Sequence, residues 1–191
     1  MKSINFFKTL TAVALLILAV SCGTKKQEEE STEVAKEAND AVLDDRDEEK
    51  DADFVVNTLA SNYAEVKLAK LAQNRSQDPE IKDLAKMLET DHNRVISELK
   101  TFADKNGIAV PSEETNEDKE DINDLASEND TNKFDEKWCK ELKNRHEKSI
   151  NKFEARLNKS EDLELKNWVN ATLPALRNHL EMLKQNEDRL K

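Results

Sequence analysis

The residues with the strongest claim to chemistry are three histidines, one glutamate and one cysteine. His92, His146 and His179 are the only histidines in 191 residues. Each has apolar residues one helical turn away on both sides: Leu88 and Ile96, Leu142 and Ile150, Leu176 and Leu183. Glu65 shares a helix face with Ser61, Leu68 and Ala69. Neutral imidazoles with one carboxylate suit zinc, iron or copper, so Glu65, His92, His146 and His179 form a candidate mononuclear metal set. Glu89-Thr90-Asp91-His92 adds a Glu-x-x-His spacing that puts both side chains on one face. The blander reading, which the sequence favours, is a buried hydrogen-bonded polar layer that fixes helix register. Under either reading Glu65 has to pair with a histidine, because a lone buried charge is costly. A carboxylate-bridged di-iron centre fits poorly. It needs Glu-x-x-His on two helices, and here Lys143 precedes His146 and Leu176 precedes His179. Cys139 stands seven residues before His146, two turns away, and reads as a small core residue.

Cys22 points to a different chemistry. Lys2 and Lys8 flank a short positive start, and Thr9 to Val20 is an apolar run too short to span a bilayer as a helix. The run ends in Leu18-Ala19-Val20-Ser21-Cys22-Gly23, similar to the lipobox of bacterial lipoproteins, where a diacylglycerol joins the cysteine and the leader is cut before it. Multiple acyl chains anchor a protein stably, whereas one chain binds only marginally. The expected partition is therefore a signal peptide over 1–21, a lipidated Cys22 with a disordered acidic tether over 22–52, and a folded domain over 53–191. Gly23 lacks the aspartate that retains enterobacterial lipoproteins in the inner membrane, so the expected location is the outer membrane, on either face. The charged stretch after the cysteine also resembles surface-export signals of Bacteroidetes lipoproteins.

Composition narrows the partners. With 30 basic and 41 acidic residues the net charge is −11. That argues against nucleic acid and against electrostatic docking on anionic lipid. Only Gly23 and Gly107 are available as glycines, which excludes a glycine-rich phosphate loop. No sharp turn presents a serine nucleophile, so an enzyme is the less favoured class. Cys139 alone remains after Cys22, so a mature chain has no intramolecular disulfide.

Four long helices have to position the candidate ligands. Apolar residues recur at three and four from Phe54 to Leu71, from Ile81 to Phe102, from Trp138 to Phe153 and from Leu165 to Leu183. Asp78-Pro79 caps the second helix and Lys105-Asn106-Gly107 stops it. The third runs from about Phe134 to Leu157, and the fourth from about Leu163 to Arg189 with Pro174 inside it. Short links make two antiparallel hairpins. The long connection between the second and third helices carries a short helix around Ile122 and Leu125, and its length permits either a local fold or a crossing of the whole bundle. The expected fold is all-α: an antiparallel four-helix bundle, ferritin-like, with each candidate ligand near the middle of its helix.

One family shares this pattern. Phe54-Val55, Glu65, Leu68-Ala69, Asp91-His92, Gly107-Ile108 with Pro111, Phe134-Asp135, His146 with Phe153-Glu154, and Thr172-Leu173-Pro174 before His179-Leu180 stand in its order. The stretch from Asp53 to Lys184 resembles domain-of-unknown-function family 4142, ferritin-like proteins often labelled predicted outer membrane proteins. The resemblance implies fold and location and names no activity. Two function classes follow. The favoured one is a non-enzymatic, lipid-tethered envelope module that binds a protein partner or serves stress tolerance. The other is a bundle that stores or handles a transition metal.

Overall fold

The computed structural model describes residues 30–43 and 45–191. Cys22, the apolar leader and the first part of the tether lie outside them. Among the described residues the chain is all-helical: α1 Ser31–Asp40, α2 Arg46–Arg75, α3 Pro79–Asn106, α4 Asn116–Ser127, α5 Thr131–Lys159 and α6 Leu163–Leu190. None of them is long and apolar enough to cross a membrane.

Local chemistry explains the ends. Asp45, Asp78, Asp130 and Asp162 each accept a backbone N–H from the first turn of α2, α3, α5 and α6, filling donors that a helix start leaves open. Pro79 opens α3, where its missing N–H costs nothing. Gly107 ends α3 at φ 67°, the left-handed stop expected from the sequence. Thr115 and Asp118 form a reciprocal capping box that starts α4.

The acidic tether ends earlier than the sequence suggested. Residues 31–40 are helical, and α2 begins at Arg46 instead of Asp53. Thr32, Ala35 and Asn39 are buried. Asn39 clamps the chain after α3: its Nδ2 donates to the Ala109 carbonyl at 3.0 Å, and the Ala109 N–H donates to its Oδ1 at 2.7 Å. Packing on α2, with Thr32 and Ala35 buried, and these distant polar partners order the segment.

Two apolar clusters build the core. One unites Phe54 and Leu59, Val95 to Ala103, Ile150 and Phe153, and Leu165 to Leu176. The other unites Leu68 to Ala72, Ile81 to Leu88, Phe134 to Leu142, and Leu183. The first cluster thus takes the N-terminal halves of α2 and α6 and the C-terminal halves of α3 and α5. The direction of each long helix follows: α2 and α6 run one way, α3 and α5 the other. Since α3 ends in the first cluster and α5 begins in the second, the connection holding α4 crosses the length of the molecule. On its way α4 packs on α2 and α5. Arg145 of α5 ties it down through Asp118 at 2.6 Å and Asp121 at 3.1 Å.

Candidate metal centre

Between the two apolar clusters lies a polar layer. Leu88 and Val95 bracket His92, Leu142 and Ile150 bracket His146, and Leu176 and Leu183 bracket His179. All three rings are buried, as is Glu65. The four groups that the sequence nominated therefore meet, one from each long helix. The ring centroids form a nearly equilateral triangle, with sides of 5.4, 5.5 and 5.4 Å. One ring nitrogen from each histidine lies within 4.8 Å of those of the other two.

Each ring is held by a second partner, which fixes the nitrogen that carries hydrogen. His92 Nδ1 lies 2.7 Å from Asn62 Oδ1. Asn62 cannot turn over, since its Nδ2 donates to the Thr58 carbonyl at 2.7 Å. His92 Nδ1 must therefore be the donor, and in the neutral ring Nε2 carries the lone pair. His146 Nδ1 donates to the Leu142 carbonyl at 2.9 Å, which leaves Nε2 as the acceptor. His179 Nε2 donates to Asp91 Oδ2 at 2.9 Å, which leaves Nδ1.

The three lone pairs then face awkward neighbours. His146 Nε2 and His179 Nδ1 stand 3.3 Å apart, and with both rings in the neutral form they meet acceptor against acceptor. His92 Nε2 stands 3.1 Å from Glu65 Oε2. Both of those atoms are fully enclosed without a hydrogen-bond partner. Glu65 Oε1 accepts only from the Ser61 hydroxyl at 3.4 Å, and its Oε2 lies 3.4 Å from His146 Nδ1. Buried polar atoms without partners are uncommon and costly, so a cluster of them invites an explanation.

Charge strengthens the point. Burial pushes the His92 ring down to about 4 in spite of Glu65, so it is neutral at pH 7. Burial also lowers His179, against the pull of Asp91. Burial alone would raise the Glu65 carboxyl, but the histidines and Arg145 hold it below its ordinary value. Glu65 thus stands as a carboxylate beside the lone pair of a neutral His92 ring.

Sequence reasoning missed the residues that orient these rings. Asn62 precedes Glu65 by three and shares its face; an amide on an apolar stripe was the available signal. Asp91 adjoins His92 but points about 100° away around α3, and so reaches His179 on α6. Glu89, nominated by its Glu-x-x-His spacing, turns away to Gln73 at 2.7 Å and Lys70 at 3.6 Å. Cys139 is a buried core thiol that burial pushes up to about 12.

Comparison with known proteins adds a family and no activity. No curated protein and no solved structure matches the chain. A family model described as a domain of unknown function (DUF4142) matches residues 32–185, taking in α1 as well as the long helices. With most of its length matched, the chain belongs to the DUF4142 family.

Proposed function

We propose that this protein is a lipid-anchored envelope module whose ferritin-like four-helix bundle holds one divalent transition-metal ion on Glu65, His92, His146 and His179. The crossing α3–α5 connection supports the ferritin-like arrangement, since simple up-down bundles do without one. The observation that carries the metal reading is the convergence of one ring nitrogen from each of three buried histidines within 4.8 Å, while Asn62, the Leu142 carbonyl and Asp91 each engage one ring. This is the outer-shell arrangement that orients metal-binding histidines. Tetrahedral coordination at about 2.1 Å places neighbouring donor atoms roughly 3.4 Å apart. The separations of 3.3 Å (His146 Nε2 to His179 Nδ1) and 3.1 Å (His92 Nε2 to Glu65 Oε2) are close to that. Zinc, iron and copper all accept such a donor set. A di-iron oxidase centre does not fit, because Glu65 is the single carboxylate among the three rings, with Asp91 behind His179. On this reading the centre holds or hands over metal.

The lipid anchor rests on the leader and Cys22, and outer-membrane placement on Gly23. Metal analysis of protein purified without chelator tests the centre, against the H92A/H146A/H179A variant. One ion per wild-type chain and none per variant chain is expected; equal, near-zero occupancy in both overturns it. For the anchor, Cys22→Ser moves the protein from the membrane to the soluble fraction and abolishes labelling by radioactive palmitate. Unchanged fractionation and labelling overturn that part.

A further inference from the structure

A groove of about 320 Å³ runs along the seam between α2 and α5, and its lining carries four cations and no acid. Lys50, Lys152, Arg156 and Lys159 surround it, in a chain with an acidic excess of eleven charges. The contrast with the neighbouring cleft is sharp, because that one is walled by Asp45, Asp47, Glu48, Asp51, Glu161 and Asp162 without a single cation. Lys50 pairs with Asp47 and Arg156 with Asp51, whereas neither Lys152 nor Lys159 forms an ion pair among the described residues. Arg156 is only 7% exposed, and its Nη2 is fully enclosed without a hydrogen-bond partner. A guanidinium offers paired N–H donors to a carboxylate or phosphate, and Arg156 is part of the lining. Phe54 and Phe153 supply apolar lining, their rings in an edge contact at 5.0 Å. Toward the other end of the seam α4 covers the two helices, so the groove is the part that α4 leaves open.

We infer that the α2–α5 groove binds an organic anion, its carboxylate or phosphate held by Lys152, Lys159 and Arg156 and its apolar body laid against Phe54 and Phe153. Apolar lining with a few converging polar groups is the usual make-up of a small-molecule site. A protein of net negative charge repels anions over most of its surface, so binding here has to be local. The groove also reaches Ser61 and Asn62, the residues that touch Glu65 and His92. The assignment does not depend on the metal reading.

Calorimetric titration in chelator tests it, using octyl phosphate, octanoate and octyltrimethylammonium. Both anions bind with one site per chain, the cation does not, and Lys152→Glu/Lys159→Glu weakens both anions at least tenfold. Lys86→Glu/Lys105→Glu, an equal charge change on exposed parts of α3, leaves the affinities unchanged. Absence of anion binding overturns the inference, as do equal binding of the cation and an equal loss in the control variant. Chelator removes any bound metal, so failure of the groove and failure of the metal centre are read separately.

Discussion

Glu65→Gln separates a metal centre from a structural ion pair, because the two give opposite signs in metal-free protein. At pH 8 the His92 ring is neutral, and Glu65 Oε2 faces its Nε2 lone pair at 3.1 Å. An amide keeps the Oε1 acceptor for Ser61 and puts an N–H where Oε2 was, aimed at the ring nitrogen. The new hydrogen bond contributes about 1 kcal/mol, and removing a desolvated charge adds a similar amount. A gain of about 2 kcal/mol raises Tm by roughly 4–8 °C in a domain of this size. Metal reverses the order. At a free-metal concentration a hundredfold above Kd the wild type gains about 2.7 kcal/mol, whereas a variant bound a hundredfold more weakly gains only about 0.4. The assay is calorimetric melting of both proteins with chelator and with zinc: the variant melts higher in chelator and lower in zinc. If Glu65→Gln melts below the wild type in chelator, as loss of a protonated His92–Glu65 ion pair requires, the tautomer argument is refuted.

Other perturbations follow from the same geometry. Asn62→Leu removes the acceptor that fixes the His92 tautomer and lowers zinc affinity about 10- to 100-fold in a competition titration; unchanged affinity removes Asn62 from the site. Burial pushes the Asp135 carboxyl above its ordinary value, opposed by the Ser76 hydroxyl that donates to its Oδ2 at 2.9 Å. The folded chain therefore takes up this proton at higher pH than the unfolded chain, so the ionised form costs stability at neutral pH and the cost fades as pH falls. Asp135→Asn, which keeps the acceptor for Ser76, stabilises at pH 7 and not at pH 4 in urea unfolding with chelator; an equal gain at both refutes this. Gly107 has φ 67° and open space for a side chain, so Gly107→Val costs roughly 1–2 kcal/mol through the backbone alone, with Gly107→Asn milder. Equal thermal stability of glycine and valine counts against the left-handed cap.

Much of this architecture was legible because it rests on local rules. Period-3.6 apolar stripes, Asp78-Pro79 and Gly107 mark helix bodies and ends with chemistry confined to a few neighbouring residues. The meeting of Glu65 with three histidines was legible too, because antiparallel helices of similar length bring mid-helix residues to one level. Two features were not. The segment 31–40 reads as a charged tether, since its order comes from packing on α2 and from Asn39 reaching 70 positions along the chain to Ala109. The direction of the α3–α5 connection was open because its length serves both topologies. At the centre, sequence supplied ligand types without the second partner of each ring. Asn62, the Leu142 carbonyl and Asp91 decide which nitrogen faces inward, and such contacts between helices leave no periodic trace.

The docking of α1 has a mechanical side. Glu30 accepts from the Asn116 N–H, the Ser31 hydroxyl donates to the Glu113 carbonyl, and Asn39 grips Ala109, so successive positions from Glu30 onward meet earlier and earlier positions of the segment 109–116. A pull on the N-terminal side, the direction in which the proposed lipid anchor loads the chain, reaches these contacts one after another and peels them apart. Ten residues span about 15 Å as a helix and roughly 34 Å extended, so release lengthens the chain ahead of α2 before tension reaches that helix. Optical-trap extension should show a small, low-force step ahead of bundle rupture, absent in Asn39→Ala; a single rupture event in both proteins would rule it out. In this view α1 is a fuse, yielding first so that the polar layer is spared the load.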